Sequence, residues 1–119
     1  MIYYDHGLER NFTTYDDYFN GNQDEDALVY LYLANRLIHS VNPRALTVAE
    51  EMSGMPGLAA GNCLDGYGFD YRLSMGVPDL WIKLVKEVFD ENWDMGYLIH
   101  ELTQRRPEEK IISYCESHD

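Results

Sequence analysis

Cysteine, basic side chains and long apolar runs are all scarce in this sequence. The two cysteines, Cys63 and Cys115, belong to no C-x-x-C pair and to no Cys/His cluster with zinc spacing, and the four histidines are widely separated. We therefore predict free thiols, no metal site and no cofactor. Nine Lys and Arg against 21 Asp and Glu give a formal net charge of −12, which argues against a nucleic acid as partner.

Hydropathy and length narrow the class of protein further. No uninterrupted apolar run approaches the roughly 20 residues that a membrane span needs. The opening MIYYDHGLER has no basic region followed by an apolar core, as a secretory signal would. With 119 residues, of which 45% are hydrophobic, the chain has the length and composition of one globular domain. We expect a cytoplasmic protein without a membrane partner.

The apolar pattern predicts alternating helices and strands. A turn-rich opening with many aromatics precedes a helix from about Asp24 to Val41, where Asn42-Pro43 stops it. The later predicted strands are at 45–50, 67–75 and 110–119. Pro78 is predicted in the first turn of a helix that has Trp81, Leu84, Val85 and Val88 on one face. Asn92 or Asp94 is predicted to cap a further helix, which has Met95, Leu98, Ile99 and Leu102 on one face and ends at Pro107. This order is typical of an α/β protein with a parallel sheet.

Carboxylates follow two of the three predicted strands. Glu50 and Glu51 end the strand ALTVAE, and Asp119 follows His118 at the end of KIISYCESHD. Polar side chains that carry chemistry collect at the carboxyl ends of strands in parallel α/β folds. Strand alternation places Glu50 and Glu51 on opposite faces, so only one of them can face a given site. The pattern leaves open which one does, and a purely structural role for either pair is also open.

Four blocks of the sequence carry a family resemblance. TVAEEMSGMPGL, GYGFDYRLSMGVPDLWIK, ELTQRRPEEK and ISYCESHD together resemble the glycogen (1,4-α-glucan) branching enzymes of the α-amylase superfamily, and HGL…YDDYFNGNQDEDALVYLYLAN resembles the stretch after that family's fourth barrel strand. The resemblance covers the chain from end to end. It implies a partial catalytic (β/α)₈ barrel over residues 1–119, from about helix four to strand seven.

The resemblance also implies roles for the carboxylates. Glu50 is similar to the general acid/base, Asp119 to the carboxylate that stabilises the transition state, and His118 to the histidine that contacts the sugar in the same subsite. Glu51 matches an acidic position without a catalytic role. The family's nucleophilic Asp would precede residue 1, so we expect the isolated segment to be inactive. The implied reaction is retaining transfer of an α-1,4-glucan chain to a 6-hydroxyl, without a cofactor.

Two other functions fit part of these observations. A non-catalytic glucan-binding module would use the 13% of residues that are aromatic and would need no nucleophile. An α-amylase-type hydrolase would share the barrel and the carboxylates but would use water as the acceptor. The SGMPG and GFDYRL blocks favour the branching enzymes over the hydrolases.

Overall fold

The structure is a computed structural model that describes residues 2–8, 10–61 and 64–116, and it contains a small parallel sheet. Its strands are β1 (Val48–Ala49), β2 (Tyr71–Leu73) and β3 (Ile111–Ile112), in the order β1-β2-β3. Ala49 pairs with Arg72, and Arg72 pairs with Ile111. The predicted α/β class with a parallel sheet is confirmed.

All three strands are shorter than the sequence predicted. The apolar run at 45–50 pairs only at Val48–Ala49, and the run at 67–75 pairs only at Tyr71–Leu73. The strand predicted at 110–119 is Ile111–Ile112, so Cys115 lies outside it as an exposed free thiol. An apolar run reports burial, whereas a strand also requires a neighbouring backbone with matching hydrogen-bond groups. Residues 117–119, part of the predicted third strand, lie outside the described residues.

The helices follow the sequence prediction closely at their starts. Helix α2 (Glu25–Val41) is capped by Asp24, whose side chain accepts a hydrogen bond from the Ala27 backbone N–H at 3.0 Å. Helix α4 (Met95–Thr103) is capped by Asp94 in the same way. Helix α1 (Tyr15–Tyr18) precedes α2 and lies within the opening segment that we predicted to be a loop. Helix α3 (Gly76–Glu87) and a 3₁₀ turn (Asp90–Asn92) precede α4. Helix α4 ends at Thr103, four residues before Pro107, the residue predicted to stop it.

Helices α3 and α4 bury a narrower stripe than their apolar spacing predicted. Leu80, Leu84 and Leu98 form a buried cluster between these two helices. Three residues that we predicted on the packed faces are instead exposed: Val85, Met95 and Ile99. The apolar positions predict an amphipathic stripe, but its width exceeds the surface that the two helices cover in each other.

A second core joins the opening segment to β1 and to the loop that follows it. Its buried members are Ile2, Tyr3, Leu28, Ala49, Met55 and Leu58. This core places the chain after β1 against α2 and against the first described residues. The residues after Ala49 are therefore anchored in the interior, although Glu50 itself is exposed.

Candidate active site

Glu50 and Glu51 lie on opposite faces of the chain that leaves β1. Ala49 and Glu51 are buried, with 5% and 9% of their surfaces exposed, whereas Val48 is half-exposed and Glu50 is exposed. This confirms the predicted alternation. The open face of the sheet carries Glu50, and the interior carries Glu51.

Glu51 is part of a tight hydrogen-bonded turn. Its Oε2 atom accepts hydrogen bonds from the Ser53 backbone N–H at 2.9 Å and from the Ser53 hydroxyl. The Ser53 Oγ in turn accepts from the Met55 backbone N–H at 3.1 Å. Burial raises the pKa of the nearby Tyr3 hydroxyl, and the Glu51 carboxylate adds to that rise. The other carboxylate oxygen, Oε1, is buried and makes no hydrogen bond within the described part of the chain. Glu51 therefore shapes the backbone after Glu50.

A buried ion pair contacts the loop that follows Glu50, which we define as residues 51–59. Arg72 Nη1 donates to the Met55 carbonyl oxygen at 2.7 Å and lies 3.3 Å from Glu109 Oε1. Glu109 Oε1 also accepts from the Ala59 backbone N–H at 2.9 Å. The side chains of Arg72 and Glu109 are 8% and 1% exposed. Both residues belong to blocks that carried the family resemblance, yet their spacing in sequence, 37 residues, gave no sign that they meet.

A second guanidinium completes the environment of Glu109. Arg106 Nη1 lies 3.3 Å from Glu109 Oε2, which Arg72 Nη1 also approaches at 3.5 Å, so both guanidinium groups contact the carboxylate. A buried carboxylate without such partners would be strongly destabilising. Arg106, which follows the end of α4, thus helps to neutralise a charge in the core.

At its start, β1 is fastened by Asp70. The Oδ2 atom of Asp70 accepts from the Thr47 backbone N–H at 2.8 Å and from the Thr47 hydroxyl at 3.2 Å, and it lies 2.9 Å from His39 Nε2. Burial opposes ionisation of this carboxyl, but the hydrogen bonds from Thr47 and the interaction with His39 outweigh it and lower the pKa of Asp70. This cluster ties α2, β1 and β2 together.

The carboxyl ends of all three strands border an open cavity of about 550 Å³. Met52 follows β1, Met75 follows β2 and Tyr114 follows β3, and the Tyr114 hydroxyl lies 3.0 Å from the Met75 sulfur. The remaining lining residues come from α3: Gly76, Pro78, Asp79 and Ile82. The space lies on the side of the sheet where parallel α/β folds place their chemistry.

The predicted site residues divide into one that the structure describes and two that it does not. Glu50 lies directly after β1, at the carboxyl edge of the sheet. His118 and Asp119 lie outside the described residues. Within residues 2–8, 10–61 and 64–116, there is no group of three or more His, Cys, Asp or Glu side chains that could bind a metal ion. Among the same residues, every helix is too short or too polar to cross a bilayer.

Comparison with known proteins shows which proteins this sequence resembles. No family model matches the chain. A protein of Dictyostelium discoideum is 54% identical over 119 residues, one of Equus caballus is 52% identical over 120 residues, and one of Felis catus is 51% identical over 120 residues. Each is named 1,4-alpha-glucan-branching enzyme, and each match covers the whole of this chain. This chain matches a segment of 1,4-alpha-glucan-branching enzymes.

The extent of the match is unequal in the two directions. The chain spans 17% of the length of each of these branching enzymes. The resemblance that we inferred from four sequence blocks is confirmed over the full 119 residues. Because most of each branching enzyme has no counterpart here, the activity of such an enzyme is a proposal for this chain.

Proposed function

We propose that this chain is a segment of the catalytic barrel of a retaining 1,4-α-glucan branching enzyme, with Glu50 as general acid/base. The observation that carries the proposal is the whole-chain match, at about half identity, to proteins of that name. The position of Glu50 supports its role. It is exposed at the carboxyl edge of a parallel sheet, whereas its neighbour Glu51 is buried and hydrogen-bonded.

The proposed barrel is consistent with the arrangement of the sheet. Three parallel strands lie side by side in chain order, as consecutive strands of a (β/α)₈ barrel do. Helix α2 precedes β1, and helices α3 and α4 connect β2 to β3. We assign this segment to the region from helix four to strand seven, within a single catalytic domain that includes residues 1–119.

Glu50 would exchange one proton in each half of the reaction. In the first step its carboxyl proton passes to the oxygen of the scissile α-1,4 bond as that bond breaks and the nucleophilic carboxylate bonds to C1. In the second step Glu50 takes the proton from a glucan 6-hydroxyl, whose oxygen bonds to C1 and displaces the nucleophile. By family resemblance, Asp119 would stabilise the transition state, His118 would contact the sugar, and the nucleophile would come from outside this chain.

A cavity at the strand ends, which Met52 lines but Glu50 does not, has a lining that suits part of an α-glucan. Its volume of about 550 Å³ lies within the range of small-molecule sites in proteins. Tyr114 offers an aromatic face with a polar tip, and Met52 and Met75 offer adaptable apolar surface. Such a mixture suits a sugar ring, which has apolar faces and a polar edge.

The proposal is tested in a chimera of the Dictyostelium discoideum branching enzyme, in which this chain replaces the stretch that it matches. We expect the chimera to convert amylose into a product with new α-1,6 linkages, detected by loss of iodine staining and by release of short chains with a debranching enzyme. A chimera that produces only reducing sugars would support the hydrolase alternative. A folded chimera that binds maltoheptaose without turnover would support the binding-module alternative, and either result would contradict the proposal.

A further inference from the structure

The loop 51–59 is fastened to the interior at two backbone positions. The Met55 carbonyl accepts from Arg72, and the Ala59 N–H donates to Glu109. The Arg72 and Glu109 side chains also form the buried ion pair, so this pair is hydrogen-bonded to the loop at two positions that are four residues apart. Among the residues that the structure describes, no side chain of α3 or α4 forms a hydrogen bond with this loop.

The same unit is tied to the strand that precedes Glu50. Arg72 lies on the central strand β2, and its backbone is in register with Ala49, the residue directly before Glu50. Its side chain points to the buried face that Ala49 and Glu51 share. Glu109 comes two residues before β3, whose first residue pairs with Arg72. The ion pair thus links β2, the neighbour of β1, and the residues just before β3 to the loop after β1.

Glu50 depends on this framework for its position. Glu50 lies between β1, which pairs in register with β2, and the loop 51–59, which is hydrogen-bonded to Arg72 and Glu109. Its own side chain is exposed. The backbone on either side of Glu50 sets the position of its Cα atom and the direction in which its side chain leaves the chain. An acid/base group displaced by about 1 Å can lose about 10²-fold in rate.

An apolar pair of similar size could fill the same volume and would avoid the cost of burying two charges. It could not bind the Met55 carbonyl or the Ala59 N–H, which would then lie buried without partners. The chemistry of a guanidinium and a carboxylate is therefore matched to the loop backbone and not only to each other.

We propose that Arg72 and Glu109 are positioning residues for Glu50, acting through the loop 51–59. The proposal rests on the function proposed for Glu50. It assigns an effect on turnover to two buried residues.

The test uses the chimera with both charges removed, Arg72→Met together with Glu109→Leu. We expect kcat on amylose to fall by about 10²-fold with little change in KM. The thermal unfolding temperature should also fall, because the Met55 carbonyl and the Ala59 N–H lose their buried partners, so kcat is measured at a temperature at which the variant is folded. With an α-maltooligosyl fluoride as donor, departure of fluoride needs no acid. The burst of fluoride release should then fall by much less than branching does.

Two matched variants keep the test decisive. Glu109→Gln retains an oxygen for the Ala59 N–H, so it should keep more of kcat than Glu109→Leu. If the double variant does not fold, these two single variants are compared instead. The positioning role is overturned if the folded double variant, or Glu109→Leu when folded, branches amylose at the parental rate. Glu50→Gln is assayed in parallel. Unimpaired branching by Glu50→Gln would refute the proposed function itself, whereas its loss alongside a fully active double variant would refute only the positioning role.

Discussion

Removal of the Asp70 carboxylate is expected to loosen the strand that leads to Glu50. In Asp70→Ala, the Thr47 backbone N–H loses its acceptor and His39 loses its partner. A hydrogen bond to a charged group contributes about 1.5–3 kcal/mol. Because the Asp70 side chain is 30% exposed, solvent screening reduces this contribution, and we expect a loss of about 1–2 kcal/mol of local stability.

The assay is hydrogen exchange of the peptide that spans residues 45–52, measured by mass spectrometry in the chimera. A loss of about 1–2 kcal/mol corresponds to roughly 5- to 30-fold faster local exchange. Asp70→Asn, which keeps an oxygen for the Thr47 N–H, should show a smaller increase. Asp79→Ala removes an exposed carboxylate in α3 and serves as the matched control.

The pH dependence follows from the lowered pKa of Asp70. A carboxyl whose pKa is lower in the folded state contributes stability that is present above its ordinary value of 3.8 and is lost as the pH falls through the folded pKa. The ratio of exchange rates between Asp70→Asn and the parent chimera should therefore shrink only below about pH 4. Equal exchange in Asp70→Ala and Asp79→Ala would refute the reasoning.

Two further predictions concern Glu51 and the chain by itself. Glu51→Ala should speed hydrogen exchange in the loop 51–59, because the buried Ser53 N–H loses its acceptor at a cost of about 1–3 kcal/mol. Glu51→Gln keeps an acceptor and should have little effect. Equal effects of the two variants on exchange in this loop would contradict this role of Glu51. The 119-residue chain alone is expected to aggregate or to fold only in part, since β1 and β3 each have one neighbour within the described sheet and exposed strand edges promote association. Monomeric, cooperative unfolding in calorimetry would contradict that expectation.

Local signals in the sequence predicted where α2 and α4 begin and that Glu50 and Glu51 lie on opposite sides of the chain. Asp24 and Asp94 cap their helices because a short acidic side chain before an apolar repeat satisfies the first backbone N–H groups, and this requires only neighbouring residues. The opposite placement of Glu50 and Glu51 follows equally from the two-residue period of extended chain. Such features depend on spacing alone, which the sequence contains.

Features that depend on distant contacts escaped prediction. Arg72 and Glu109 are 37 residues apart, and Asp70 and His39 are 31 residues apart, so neither pair has a local pattern. The exposure of Val85 also depends on how much of α3 another element covers, which periodicity cannot report. The family resemblance assigned a role to Glu50 but left the side chains that support its backbone without one.

The most direct test of the account compares Glu50→Gln and Glu51→Gln in the chimera with two donors. On amylose, Glu50→Gln should lose about 10²- to 10⁴-fold in turnover, because the variant has no proton to give to the leaving oxygen. With an α-maltooligosyl fluoride, the same variant should still release a burst of fluoride and then stall as the glycosyl-enzyme. Glu51→Gln should behave like the parent chimera with both donors. A greater loss in Glu51→Gln, or an equal loss with both donors in Glu50→Gln, would contradict the assignment of Glu50 as the general acid/base.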